Sequence, residues 1–163
     1  MEVERKYRIN EFPDVSGAEK KEIEQGYLCT APVVRIRKSN DRYILTYKSH
    51  IGLEEGTPDD TRVCQEMEMP LTKEGYLHLR QKVDDNFIAK TRYVLPLQDG
   101  HVAELDVFHG KLEGLTFVEV EFSDEQDAEE FVPPEWFGDN VSADYRYTNS
   151  FLSGQEDLTV FEK

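Results

Sequence analysis

The chain has 163 residues, one domain's worth of sequence, and its 38% hydrophobic and 33% charged content fits a folded globular protein rather than a disordered one. No apolar run reaches the roughly 20 residues needed to cross a bilayer, and the opening Met-Glu-Val-Glu-Arg-Lys leaves no space for a secretory apolar core, so a cytoplasmic location is expected. With 19 Lys and Arg against 34 Asp and Glu, the net charge of −15 argues against nucleic-acid and anionic-membrane partners.

Alternating patterns dominate in chain order. Strands are expected at about 2–9, 24–30, 32–39, 42–49, 62–69, 87–96, 101–109 and 115–122. Ser39-Asn40-Asp41, Gln98-Asp99-Gly100 and the stretch from Gly110 to Gly114 suit hairpin connections. The acidic Gly52 to Thr61 stretch reads as a longer loop. Helices are fewer. One near 16–22 would be capped by Ser16 and Glu19, and Thr72 would cap another running to about Val83. A capping-box pattern at Ser123-Asp-Glu-Gln126 opens a third, to about Phe131, stopped by Pro133-Pro134. A last short one is expected around Tyr147 to Leu152. No linker or repeat divides the chain, so residues 1–163 read as one β-rich α+β domain. Cys29 and Cys64 have no metal-ligand spacing and read as free thiols, and His50, His78, His101 and His109 are scattered without ligand spacing.

Residues two apart on a strand share a face. Glu2, Glu4 and Lys6 therefore oppose Val3, Arg5, Tyr7 and Ile9. Arg35 pairs with Arg37, Lys90 with Arg92, Glu66 with Glu68, Glu104 with Asp106 and Glu119 with Glu121, while Lys48 opposes Leu45 and Tyr47. Any one such pair is what a solvated sheet face looks like. Seven strands carry them, however, and most pairs are of one sign, whereas a surface tuned for solubility intersperses signs. The alternative is a barrel whose charged faces point inward. Dry burial would cost several kcal/mol per ion; a wet lumen filled by ligands avoids that. Carboxylate clusters suit hard divalent cations and Lys/Arg clusters suit phosphate oxygens. A metal–triphosphate complex satisfies both, and amphipathic helices would cover the apolar outer face.

The ordered motifs resemble those of the CYTH, or triphosphate tunnel metalloenzyme, superfamily. They are Glu2-x-Glu4-x-Lys6, Gln25-Gly26-Tyr27, Arg35-x-Arg37, Lys48, Glu66-x-Glu68, Lys90-x-Arg92, Glu104-Leu-Asp106-Val-Phe and Glu119-Val-Glu121, followed by an Asp144-Tyr-Arg146-Tyr147-Thr-Asn149 tail typical of bacterial members. The resemblance spans nearly the whole chain and implies an eight-stranded antiparallel tunnel. By that resemblance Glu2, Glu4, Asp106, Glu119 and Glu121 would hold Mg²⁺ or Mn²⁺. Lys6, Arg35, Arg37, Lys48, Lys90, Arg92 and Arg146 would bind the substrate, Tyr27 and Lys48 would form a hydrolytic pair, and Arg146 would also help the tail close the tunnel. Glu66, Glu68 and Glu104 fit the pattern, with ion-pair roles as the alternative. The expected reaction is hydrolysis of inorganic triphosphate, with Lys48 acting on water if neighbouring cations depress its pKa. Related tunnels serve class IV adenylate cyclases and thiamine triphosphatases, and a non-catalytic polyphosphate binder is a further alternative. No adenine-reading motif is visible. Trp136, Phe137, Tyr145 and Tyr147 could supply the aromatic platform that thiamine would need.

Overall fold

A computed structural model describes residues 1–50 and 61–162. The strands are β1 (Glu2–Ile9), β2 (Glu19–Thr30), β3 (Val33–Ser39), β4 (Arg42–Ser49), β5 (Arg62–Pro70), β6 (Phe87–Pro96), β7 (Val102–Phe108), β8 (Thr116–Phe122) and β9 (Phe137–Asn140). The helices are α1 (Lys73–Arg80), α2 (Glu125–Glu130) and α3 (Asn149–Ser153). Strand order is β5-β4-β3-β2-β6-β7-β8-β1-β9, and β5 also pairs with β1, which closes an eight-stranded antiparallel barrel. One edge of β1 is shared: Glu2 to Glu4 pair with β5, and Tyr7 and Ile9 pair with β9.

The eight expected strands are all present, and β9 is an addition. The expected helix at 16–22 is absent. Ser16 does not cap anything there; its N–H donates 2.9 Å to Asp14 Oδ1 in a local turn, and Gly17 follows at φ 77°. From Glu19 the chain pairs with β6, Glu19 opposite Val94 through Gly26 opposite Phe87. β2 therefore starts well before the expected position. The third expected helix is capped one residue later than its pattern suggested: Asp124 accepts from Asp127 N–H, and Ser123 donates its own N–H to Asp127 instead. Thr72 caps α1 and Thr148 caps α3, each through its hydroxyl. The expected 52–61 loop lies outside the described residues except for Thr61.

Most apolar side chains face outward from the barrel and are covered there. Val3, Leu105, Val118, Val120 and Phe122 pack beneath Ala128, Phe131 and Phe137 from α2 and its flanks. Tyr27, Ile88, Phe108 and Phe117 instead share the inward faces of their strands with Gln25, Lys90, Asp106 and Glu119, and pack there against Tyr147 and Leu152 of the tail. Ile36 meets Tyr76 and Val83 beneath α1. Gly26 belongs to this outer layer: a Cβ there would stand 2.6 Å from the Phe87 ring, so β2 can lie against Phe87 only without a side chain. Among the described residues no helix is long and apolar enough to cross a membrane.

His101 ties the β6–β7 hairpin to α2. Its Nδ1 lies 2.8 Å from Asp99 and its Nε2 2.9 Å from Asp127, and its ring stands edge-on to Phe122 and Phe131. Burial works against the charged ring, but Asp99 and Asp127 hold its pKa above the ordinary value. A raised His contributes stability that is complete below its unfolded pKa of about 6.5 and is lost as pH climbs through the folded value. His101→Gln should therefore lower the melting temperature more at pH 6 than at pH 9; equal losses at both would show that the ion pairs contribute nothing.

Candidate active site

The barrel encloses a cavity of about 790 Å³ lined by inward side chains of β1 to β6 and β8, with Glu104 from β7. Its charges are sorted by strand. Glu2 and Glu4 (β1), Glu66 and Glu68 (β5), Glu104 (β7), and Glu119 and Glu121 (β8) line one side. Lys21 (β2), Arg35 and Arg37 (β3), Arg42 and Lys48 (β4) and Arg92 (β6) line the other. Because the strand order runs β7-β8-β1-β5 and β6-β2-β3-β4 around the ring, the wall has one acidic half and one basic half. Lys6, Glu19 and Arg62 are the exceptions among the charged lining residues.

The two halves meet at two seams, each closed by ion pairs across neighbouring strands. At the β6–β7 seam Arg92 sits opposite Asp106, donating from Nε to Oδ1 at 2.8 Å and from Nη2 to Oδ2 at 3.0 Å. Its Nη1 reaches Glu104 at 3.1 Å. Lys90 adds a 2.7 Å bond to Asp106 and a 3.1 Å bond to Asn149 Oδ1. At the β4–β5 seam Lys48 sits opposite Glu66, 3.2 Å away, and donates to Glu2 at 2.9 Å.

These contacts sort the expected site residues. Glu2, Glu4, Glu119, Glu121, Lys6, Tyr27, Arg35, Arg37, Lys48 and Arg92 all line the cavity. Lys90 and Asp106 do not; both side chains are 0% exposed and sealed against each other in the wall. Lys90 and Arg92 hold Asp106 ionised in spite of its burial. Arg146 is not among the residues that line the cavity. Its guanidinium is bound by Asp144 at 2.6 Å, donates to the Val160 carbonyl and lies over the Phe161 ring, so it clamps the tail. What reaches the cavity from the tail is Thr148, Asn149 and Ser150, with Lys6 donating to the Tyr147 carbonyl at 2.9 Å. Lys48 has the opposite setting from the one expected: burial pulls its pKa down, yet Glu4 and Glu2 hold it above the ordinary lysine range. It is a paired ammonium, 2.9 Å from Glu2 and 3.2 Å from Glu66. Trp136 and Phe137 pack outside the barrel, Tyr147 lies in the tail cluster and Tyr145 stacks on Phe151; none lines the cavity. Tyr27 is the only Phe, Tyr or Trp that does so among the described residues.

Among the described residues, two buried atoms of the lining have no hydrogen-bond partner: Arg35 Nε on the basic half and, on the acidic half, Glu119 Oε1, with Lys6 3.6 Å away. Among the described residues no carboxylate pairs with Arg35 or Arg37; Arg35 donates to Thr46 and Arg37 to Gln25. On the acidic half, burial and the charge of Glu119 raise Glu4. Burial together with Glu2, Glu66 and Glu104 pushes Glu121 up to about 7. Burial opposes the charge of Glu119, but Lys6 and Arg92 keep it ionised far below the usual range. This excess of repelling carboxylates fits a hard divalent cation, which takes oxygen ligands. Among the described residues no three acidic, His or Cys side chains are gathered closely enough to hold a metal unaided. The fit is to a cation held by one or two carboxylates and completed by phosphate oxygens, the usual arrangement for Mg²⁺.

No family model matches the chain. It is 37% identical over 155 residues to an inorganic triphosphatase of Nitrosomonas europaea, covering 93% of this chain and 96% of the relative. It is 33% identical over 153 residues to an inorganic triphosphatase of Acetivibrio thermocellus, covering 93% and 92%. The crystal structure of the inorganic triphosphatase NE1496 superposes with a TM-score of 0.69 at 35% identity, over 97% of each chain. Similarity of this degree across the whole barrel, together with the charged tunnel itself, makes the chain a member of the inorganic triphosphatase family within the CYTH, or triphosphate tunnel metalloenzyme, superfamily.

Proposed function

We propose that the protein hydrolyses inorganic triphosphate to pyrophosphate and phosphate with Mg²⁺ or Mn²⁺. The observation that carries this reading is the divided wall, with an orphaned donor at Arg35 on one half and an orphaned acceptor at Glu119 on the other. A linear polyanion lies against the basic half while its counter-cation lies against the acidic half. Two free thiols, Cys29 and Cys64, support a cytoplasmic setting.

One or two of Glu2, Glu4, Glu119 and Glu121 would hold the cation, which when bound offsets phosphate charge and lowers the pKa of a ligated water. Asp106 has a different role. Saturated by Lys90 and Arg92, it fixes Arg92 at the seam. Arg35, Arg37, Arg92 and Lys6 bind non-bridging oxygens of the phosphate chain. Water attacks the terminal phosphorus, the bond to the bridging oxygen breaks, and pyrophosphate leaves with that electron pair while one proton of the water stays on the phosphate formed and the other passes to solvent. The charge spread over the transferring group is stabilised by the guanidinium groups and by the Lys48 ammonium. Tyr27 supplies a hydroxyl beside the same cavity. A nucleoside or thiamine group would need a platform at the mouth, and Tyr27, with its ring packed in the tail-side cluster, does not offer one. A purely binding role leaves the row of seven lining carboxylates without a purpose.

Phosphate release with Mg²⁺ or Mn²⁺ should be at least about tenfold faster from inorganic triphosphate than from ATP or thiamine triphosphate, a preference of about 1.4 kcal/mol. Glu119→Gln should abolish the metal-dependent part. A preference for ATP, or full activity in Glu119→Gln, would refute the assignment. Because a proton competes with the cation for Glu121, Mg²⁺-dependent thermal stabilisation in the presence of pyrophosphate should weaken between pH 8 and pH 6, around the value of about 7. Glu121→Gln should flatten that dependence; an unchanged pH profile would exclude Glu121 as a ligand.

A further inference from the structure

Gln25 is completely buried on β2, two residues before Tyr27 on the same face, and both ends of its amide are used. Arg37 Nε donates to Gln25 Oε1 at 2.9 Å, and Gln25 Nε2 donates to the Tyr27 hydroxyl at 3.1 Å. Chemistry fixes which way the amide points. A guanidinium has donors only, so the atom facing Arg37 must be the oxygen, and the NH₂ is left facing Tyr27. The phenol oxygen must then accept at that contact. Since a phenol has a single proton, that proton points elsewhere. The ring is held by Ile88 and Phe108 in the tail-side cluster, so only rotation about the C–O bond remains.

We propose that Gln25 is a positioning residue for triphosphate hydrolysis, one amide that fixes the Arg37 guanidinium and turns the Tyr27 O–H toward the tunnel. There the hydroxyl donates to an oxygen of the reacting phosphoryl group or to the attacking water, while Arg37 presents its terminal nitrogens to the phosphate chain. The close packing of Gly26 against Phe87 between these two residues keeps β2 from shifting, so the relay is built into the strand. This role rests on the triphosphatase reading of the same site.

Gln25→Glu keeps the size of the side chain and an acceptor for Arg37 but loses the donor, so the Tyr27 proton turns to the introduced carboxylate and away from the tunnel. Steady-state constants for inorganic triphosphate with Mg²⁺ should be measured for the unaltered protein, Gln25→Glu, Tyr27→Phe and the double variant. Gln25→Glu should lower kcat about tenfold to a hundredfold, the scale of losing one donor at the reacting centre. KM should stay within about threefold, because the contact is made in the transition state. In the Tyr27→Phe background the same substitution should cost less than about threefold. Melting curves check that each variant folds; if Gln25→Glu does not, Gln25→Met carries the test, and because it also strips Arg37 of its acceptor its loss in kcat must shrink, without vanishing, once Tyr27 is Phe. Equal losses in both backgrounds, or an effect confined to KM, would overturn the role given to Gln25. No turnover of triphosphate by the unaltered protein would overturn the functional reading itself.

Discussion

The separation of charge between two halves of one barrel wall is the constraint on which the rest of this structure depends. Like charges facing each other across an enclosed space repel far more than they do in bulk water. Seven lining carboxylates on four adjacent strands, and six lining cations on the other four, are tenable only because the two fields face each other and are joined at their edges. Arg92 with Asp106 closes one edge and Lys48 with Glu66 the other, each pair set directly opposite in the strand register. Lys6, placed opposite Glu119 inside the acidic half, relieves that half where it is most buried. Most apolar residues have to go outside, and two outer clusters with their covering helices follow from that inversion, while a third packs on the inward faces against the tail.

The same division determines what the cavity can hold. A simple anion would satisfy the basic half and leave the acidic half more strained, while a cation alone would do the reverse. A triphosphate with its divalent metal satisfies both halves at once. Groups already committed to each other are the frame for this, namely Lys90, Asp106 and most of Arg92. Among the described residues, groups with bonding capacity left over are the ones available to substrate: Arg35 with its unpartnered Nε, Arg37 held by Gln25, and Glu119 with its unpartnered Oε1. Sealed and open residues alternate along the wall, so rigidity and vacancy are built side by side.

Much of this was legible in the sequence. The period of two put Glu2 with Glu4, Arg35 with Arg37 and Glu119 with Glu121 on shared faces, and the sorting of sign by strand pointed those faces inward. The run Glu19 to Glu24 was not legible, since a polar stretch with one Ile has no apolar alternation and a nearby Ser resembles a helix cap. Its strand character comes from pairing with β6, a partner far away in the chain. Nor could spacing tell Arg92, which faces the cavity, from Lys90, which shares its face but is sealed against Asp106 and Asn149. Arg146 is bound by Asp144, only two residues before it, which a motif read for substrate binding overlooks. The setting of Lys48 depends on Glu2 and Glu4, brought near by barrel closure rather than by sequence. Gln25 was visible as part of a motif, but the direction of its amide follows only from the position of Arg37.

The central claim is that phosphate and metal occupy opposite halves of one wall. A crystal structure of the protein with Mg²⁺ and a non-hydrolysable triphosphate analogue measures this directly. The account predicts phosphate oxygens within hydrogen-bond distance of Arg35 and Arg37, and the metal on the side of Glu2, Glu4, Glu119 and Glu121. An analogue bound outside the barrel, or a metal seated among the basic strands, would contradict it.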